Sequence, residues 1–388
     1  MRRTPTVRRL SGAGKARRTG VAAAALLLSG AMALSGCAKD TGGGGGSASG
    51  QPCQTKPAPS GPAMTTSQER QQTPPDASDV RVGLAFDIGG RGDGSFNDAS
   101  VAGLDRAKKD MNLGEVKELD SEANESASAK LTRLRQLARE GYNPVIAVGY
   151  SYADSVGTVA EEFPDTQFAI IDDDTVRQPN VTPLVFSEEK GSFLAGVIAA
   201  HKSQTCHIGF VGGVETPLIK KFEAGYVAGA KAAAPDIEID SDYLTPAGDY
   251  TGFQDPNKAA EVSSGMLDGG ADVLYHAAGA SGKGMFSSVK ASDAMAIGVD
   301  SDQYNQPSVA AYKDVIISSM LKRIDLAVYD YVADFARGDL GAVPERFNIA
   351  NGGVTYATSG GKVDDLKPTL EAYEAAIARG DIQVPKKP

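Results

Sequence analysis

Cysteine and histidine are scarce in this 388-residue chain, at three residues each, and no apolar run of 18 residues occurs beyond the N-terminus. Without one, nothing beyond the N-terminus reads as a membrane-spanning helix. His201, His207 and His276 form no ligand-spaced cluster with Cys37, Cys53 and Cys206, so no metal site is expected. Basic charge is also short. The first 36 residues hold seven of the 39 Lys and Arg and no acid, leaving 32 basic against 49 acidic residues, a net charge of −17. Nucleic acid is therefore not an expected partner, because backbone binding neutralises phosphates with clustered Lys and Arg.

Residues 1–36 read as a secretory signal: Arg2, Arg3, Arg8, Arg9, Lys15, Arg17 and Arg18, then the apolar VAAAALLL, then a small-residue end. Leu34-Ser35-Gly36-Cys37 resembles the bacterial lipobox, whose cysteine is acylated and becomes the first mature residue. Cys37 is thus expected to anchor the protein by lipid on the extracytoplasmic face of the cell membrane, without a spanning helix. Arg17-Arg18 leaves the export route open. Residues 37–79, rich in Gly, Ser, Pro, Thr and Gln, are expected to be a disordered tether. With Cys37 lipidated, Cys53 and Cys206 remain, and either a disulfide or two unrelated cysteines fits.

From Val80 onward, apolar runs such as VRVGLAF, PVIAVGY, QFAIID, HIGFVGG, ADVLYHA and AMAIGVD alternate with amphipathic stretches such as ASAKLTRLRQLAREG. That pattern predicts an α/β fold with parallel sheets. The series occurs twice. Val82 to Val145 spans 63 residues and Ile208 to Val273 spans 65; Val82 to Asp172 spans 90 and Ile208 to Asp300 spans 92. Two doubly wound lobes of one design, with strand ends facing a shared ligand cleft, are the simplest explanation, although typical βα lengths would allow chance agreement. Such a cleft on a tethered extracytoplasmic protein suggests a solute receptor that closes by hinge motion.

Enzyme motifs fail where they should appear. After the first strand, Gly90-Arg91-Gly92 is followed by Ser95 where a dinucleotide fingerprint needs glycine. Ala277 and Gly284 spoil a Walker A loop at Gly282-Lys283, and GASGK lacks the second glycine of a nucleophile elbow around Ser281. Arg91-Gly92-Asp93 is read as a chance tripeptide, not an adhesion loop. Neither catalysis nor a cofactor is expected.

The motifs SFND, VGGVETPLIKKFEAGYVAGAK, DVLYHAAGASGKGMF, AIGVDSDQ and SMLKRIDLAVYDY, in this order from about Val80 to Pro385, resemble the basic membrane protein family, the PnrA-like purine nucleoside receptor lipoproteins. The resemblance implies a type I periplasmic-binding-protein fold and delivery of a nucleoside to an ABC transporter permease by a monomer. It also implies site roles. Phe96 and Phe253 would stack on the two faces of a purine, with Tyr250 a rival for the second ring. Asp87, Asn97 and Asp154 would address the base, Gly279 would give backbone access, and Asp300 and Lys322 would bind ribose hydroxyls. Lobe 1 is expected over 80–186 and 315–340, lobe 2 over 187–314 and 341–388. Two other readings stay open: a sensor of the same fold presenting ligand to a signalling partner, and a nucleoside hydrolase or phosphorylase.

Overall fold

Strand and helix alternate from Val82 onward. The first lobe runs β1 (Val82–Ala85), α1 (Phe96–Met111), β2 (Val116–Leu119), α2 (Ala127–Arg139), β3 (Val145–Ala147), α3 (Ala153–Glu162), β4 (Phe168–Ile171) and β5 (Val181–Leu184). The second runs α4 (Glu188–Lys202), β6 (His207–Val214), α5 (Pro217–Ala233), β7 (Glu238–Thr245), α6 (Pro256–Asp268), β8 (Val273–Ala277), α7 (Gly282–Ala291), β9 (Met295–Asp300) and β10 (Ile316–Lys322). Then come α8 (Ile324–Arg337), β11 (Val354–Tyr356) and α9 (Lys367–Arg379). This computed structural model describes residues 52–64, 73–122 and 125–388. The signal segment, Cys37 and most of the expected tether lie outside the described residues, as does the separate unit Met1–Gly46; Ser47–Pro388 form the other unit.

Apolar continuity explains the strands. β1, β3, β4 and β6 are buried at every position, as parallel strands covered by helices on both faces should be. β2, with the sequence VKEL, is a half-buried edge. Helix starts carry local signals: Thr216 accepts from Ile219 N ahead of Pro217, and Asp255 accepts from Lys258 N ahead of Pro256.

The first sheet is parallel throughout, in the order β2-β1-β3-β4-β5. The second repeats that order as β7-β6-β8-β9-β10 and adds β11 antiparallel beyond β10. One topology used twice accounts for the matched spacings.

Two boundaries differ from the sequence reading. Residues 315–322 do not belong to lobe 1: β10 pairs with β9 and β11, and the chain crosses only at Lys322–Ile324, into α8, which packs on α1. Ser318 and Ser319 interrupt the apolar run and disguise the strand, yet both hydroxyls are satisfied. Ser318 Oγ donates to Ala357 O at 2.8 Å, and Ser319 Oγ accepts from Gln303 N at 3.1 Å. At the crossings, Phe347 N donates to Val185 O (2.8 Å) and Ser187 N to Phe347 O (2.9 Å), binding two of the connecting segments together.

Nor are residues 37–79 a free tether throughout. Cys53 is joined to Cys206, with Cα atoms 4.7 Å apart. Lys56 N donates to Ala233 O, and Arg379 Nη1 donates to Pro62 O at 2.7 Å. Ala77 is buried, its N–H donating to Met111 O. A segment that cannot fold alone is held here by a covalent link and the carbonyls at helix ends. The bridge closes a 153-residue separation spanning the first lobe. The double variant Cys53→Ser/Cys206→Ser should therefore lose about 2–5 kcal/mol of unfolding free energy in urea titrations. An unchanged midpoint and slope would show that the link carries no stability.

Candidate functional site

The loops leaving the C-terminal strand ends of both sheets meet between the lobes, where open α/β sheets bind ligands. Residues of both lobes line one cavity there.

The loop after β1, DIGGRGDGSFND, is tied to itself by its acids. Asp93 accepts from the N–H groups of Ser95, Asn97 and Asp98 at 2.8–3.1 Å, and so caps α1 from outside the helix. Asp98 accepts in turn from Gly92 N and Gly94 N. Gly89, Gly90, Gly92 and Gly94 all take positive φ, which lets the chain wrap this tightly. Asp93 is therefore buried, and Arg91 is paired bidentately with Glu118, so the tripeptide is no adhesion loop. The capped turn places the ring of Phe96 in the cavity wall.

Asn97 is correspondingly not a cavity residue. It is buried behind the loop, its Oδ1 accepting from Asp87 N at 3.0 Å and its Nδ2 donating to Asp93 Oδ2 at 3.1 Å. Asp87 does line the cavity, and its Oδ1 accepts from Ile88 N and Ser151 Oγ. A side chain at Gly149 would put Cβ 2.1 Å from Asp87 Oδ2, so glycine is required there. Burial raises the Asp87 carboxyl, opposed by the neighbouring Lys130 ammonium.

Lys322, the last residue of β10, also lines the cavity and is fully buried. Its Nζ lies 2.5 Å from Asp172 Oδ2 of the first lobe and 3.7 Å from Glu188 Oε1 at the crossing, and 5.0 Å from the centroid of Phe96. Burial pulls the ammonium down, but Asp172, Glu188 and Asp300 together hold it above its ordinary value. The acids answer in the same way. Burial pushes Asp172 up to about 7 against the pull of Lys322, and raises Asp300. Ser95 Oγ of the first lobe donates to Asp300 Oδ2 at 2.7 Å, Ser301 Oγ donates to Ser95 O, and Gln303 Nε2 donates to Gly94 O at 3.0 Å. These bonds cross between the lobes.

Of the residues expected from sequence, Asp87, Phe96, Phe253, Gly279, Asp300 and Lys322 line one cavity. Asp154 does not: it is exposed on α3 and faces a separate groove with Glu161 and Arg177, because the first turn of α3 points it away from the cleft. Tyr250 also stays outside, half-buried with its ring 6.1 Å from that of Tyr150. Sequence reasoning missed Asp93, Tyr150 and Asp172, and the apolar wall of Ile88, Ile219 and Phe222. Asp172 had a signal: it ends FAIID as Asp300 ends MAIGVD.

Chemically, the cavity offers rings from both lobes to a flat apolar group and a lysine among acids to hydroxyls. His276 is buried against Gln303, and burial lowers it to about 4, so it is neutral at physiological pH. Among the described residues, no cluster of His, Cys, Asp and Glu could hold a metal ion, and no helix is long and apolar enough to cross a membrane.

Buried acids fix how stability responds to pH. Asp172 and Glu374 stand at about 7 and Asp93 at about 6, each raised by burial, so the folded chain takes up protons that the unfolded chain does not. Their stabilisation is lost as pH rises through those values. His276 opposes this only below its ordinary 6.5, where the unfolded chain protonates first. The melting temperature should thus be higher at pH 6.5 than at pH 8, measured by calorimetry at constant ionic strength. The reverse order would show that these acids are not held this way.

Across residues 80–387 the chain matches the family model described as ABC transporter substrate-binding protein PnrA-like. It is 33% identical over 327 residues to the CD4+ T-cell-stimulating antigen of Listeria monocytogenes, covering 80% of this chain and 90% of that protein. It is 30% identical over 326 residues to the ABC transporter nucleoside-binding protein BmpA of Lactococcus lactis subsp. cremoris, again over 80% and 90%. In fold it is similar to the crystal structure of an ABC transporter system solute-binding protein from Aeropyrum pernix K1, with a TM-score of 0.68, 26% identity, and 79% and 94% of the two chains covered. The architecture is the type I fold of ABC solute-binding proteins.

Proposed function

The chain belongs to the PnrA-like family of ABC transporter substrate-binding proteins, and on that premise we propose that it captures a purine nucleoside between its lobes and delivers it to a permease. One observation carries the nucleoside reading: Phe96 from the first lobe and Phe253 from the second line the same cavity as Lys322, Asp172 and Asp300. Aromatic faces suit a base, and a buried cation among carboxylates suits sugar hydroxyls. The Lactococcus relative, named as nucleoside-binding, supports the same ligand class. The lipobox-like end at Cys37 supports lipid anchoring on the extracytoplasmic face.

The test is to identify by mass spectrometry what copurifies, then to titrate purine and pyrimidine nucleosides calorimetrically. Purine ribonucleosides should bind with pyrimidines weaker. Binding of free sugars with no response to any nucleoside would overturn the reading. Release of free base on incubation with inosine or guanosine would point instead to a hydrolase or phosphorylase.

A further inference from the structure

We infer that Asp172 is itself a ligand-binding residue, which together with Asp300 grips the sugar hydroxyls of the nucleoside from the two lobes; this rests on the nucleoside reading above. Asp172 follows β4 and Asp300 ends β9, the fourth strand of each sheet when the shared order is numbered alike. Both take left-handed backbone conformations, with φ of 70° and 62°. Both line the cavity, and both act on the one ammonium of Lys322. The repeat thus sets one carboxylate from each lobe at the same end of the site.

The two differ in what remains for a ligand. Asp300 Oδ2 is taken by Ser95 Oγ. Asp172 gives Oδ2 to Lys322, but its Oδ1 has no hydrogen-bond partner among the described residues, although the side chain is only 3% exposed. A buried carboxylate oxygen without a donor is costly. A ligand hydroxyl removes that cost, and it can accept from Lys322 Nζ while donating to Asp172 Oδ1. Neither a base carbonyl nor a phosphate oxygen can do both, since neither donates.

The decisive variant is Asp172→Gly, because glycine keeps the left-handed backbone without strain and Lys322 retains Glu188 and Asp300. Guanosine, 2′-deoxyguanosine and 3′-deoxyguanosine are titrated into wild type and variant. Wild type should bind guanosine at least tenfold tighter than one of the deoxy compounds, as a hydrogen bond to a charged group implies. In Asp172→Gly that ratio should fall to within about threefold of unity. Equal weakening of all three ligands would mean that Asp172 acts only by holding Lys322, and would overturn the inference, as would unchanged affinities. If the variant does not fold, wild-type crystals soaked with guanosine decide: a sugar hydroxyl is expected about 2.7 Å from Oδ1, and an Oδ1 facing no ligand atom overturns it. If wild type binds no nucleoside, the proposed function fails, and crystals soaked with D-ribose put the same question to Asp172.

Discussion

Lys322→Met should abolish nucleoside binding and lower stability by about 3–5 kcal/mol at pH 8, the cost of leaving buried charges without their counter-ion. Methionine fills much the same volume, so the loss comes from charge and not from a cavity. Asp172 and Asp300 would then lose their cation and Glu188 would keep only Lys221, although all three acids are almost fully buried. Proton uptake is their way out. With the ammonium gone, the force that lowers Asp172 and Asp300 is removed, and both rise further above their ordinary values. A raised carboxyl stabilises the fold below its folded-state pKa and stops doing so above it. The variant's deficit should therefore shrink between pH 8 and pH 5.5, as calorimetry at the two pH values would show, while binding stays lost at both. An equal deficit at both pH values would mean that the lysine acts through packing alone.

The architecture was legible because buried parallel strands leave long apolar runs, and the repeat because both lobes use one strand order. What the sequence concealed has particular causes. β10 buries two serines whose partners, Gln303 and Ala357, lie far along the chain from the serines' neighbours, so its apolar run looked broken. The docked part of the N-terminal segment depends on Cys206, Ala233 and Arg379, contacts that no local composition announces. Within the site, the family resemblance supplied Asp87, Phe96, Phe253, Gly279, Asp300 and Lys322, and the fold brings these to one cavity. Helix phase decided against Asp154, and a polar side chain on a ligand loop can serve the loop: Asn97 and Asp93 are spent on holding Phe96 in place. The conspicuous Arg91-Gly92-Asp93 holds Asp93, which accepts from three N–H groups at the start of α1, for reasons unrelated to adhesion.

Removing both rings should cost about thirtyfold or more in nucleoside affinity, and either alone about fivefold or more, because each base–aromatic stack is worth about 1–3 kcal/mol. The two singles should nevertheless differ in kind. Phe96 stands on the capped turn of α1 in lobe 1 with its centroid 5.0 Å from Lys322 Nζ, so Phe96→Ala also removes a face on which the buried ammonium rests. Phe253 ends a short 3₁₀ turn in lobe 2, with no cation over its ring among the described residues. A modest loss of melting temperature without ligand is thus expected for Phe96→Ala and little change for Phe253→Ala. Tyr250→Ala is the control, since its ring lies outside the cavity beside Tyr150. Titration calorimetry on the four variants would settle the aromatic assignment. If Tyr250→Ala weakens guanosine binding as much as Phe253→Ala, or Phe96→Ala leaves it unchanged, the base does not lie between these two phenylalanines.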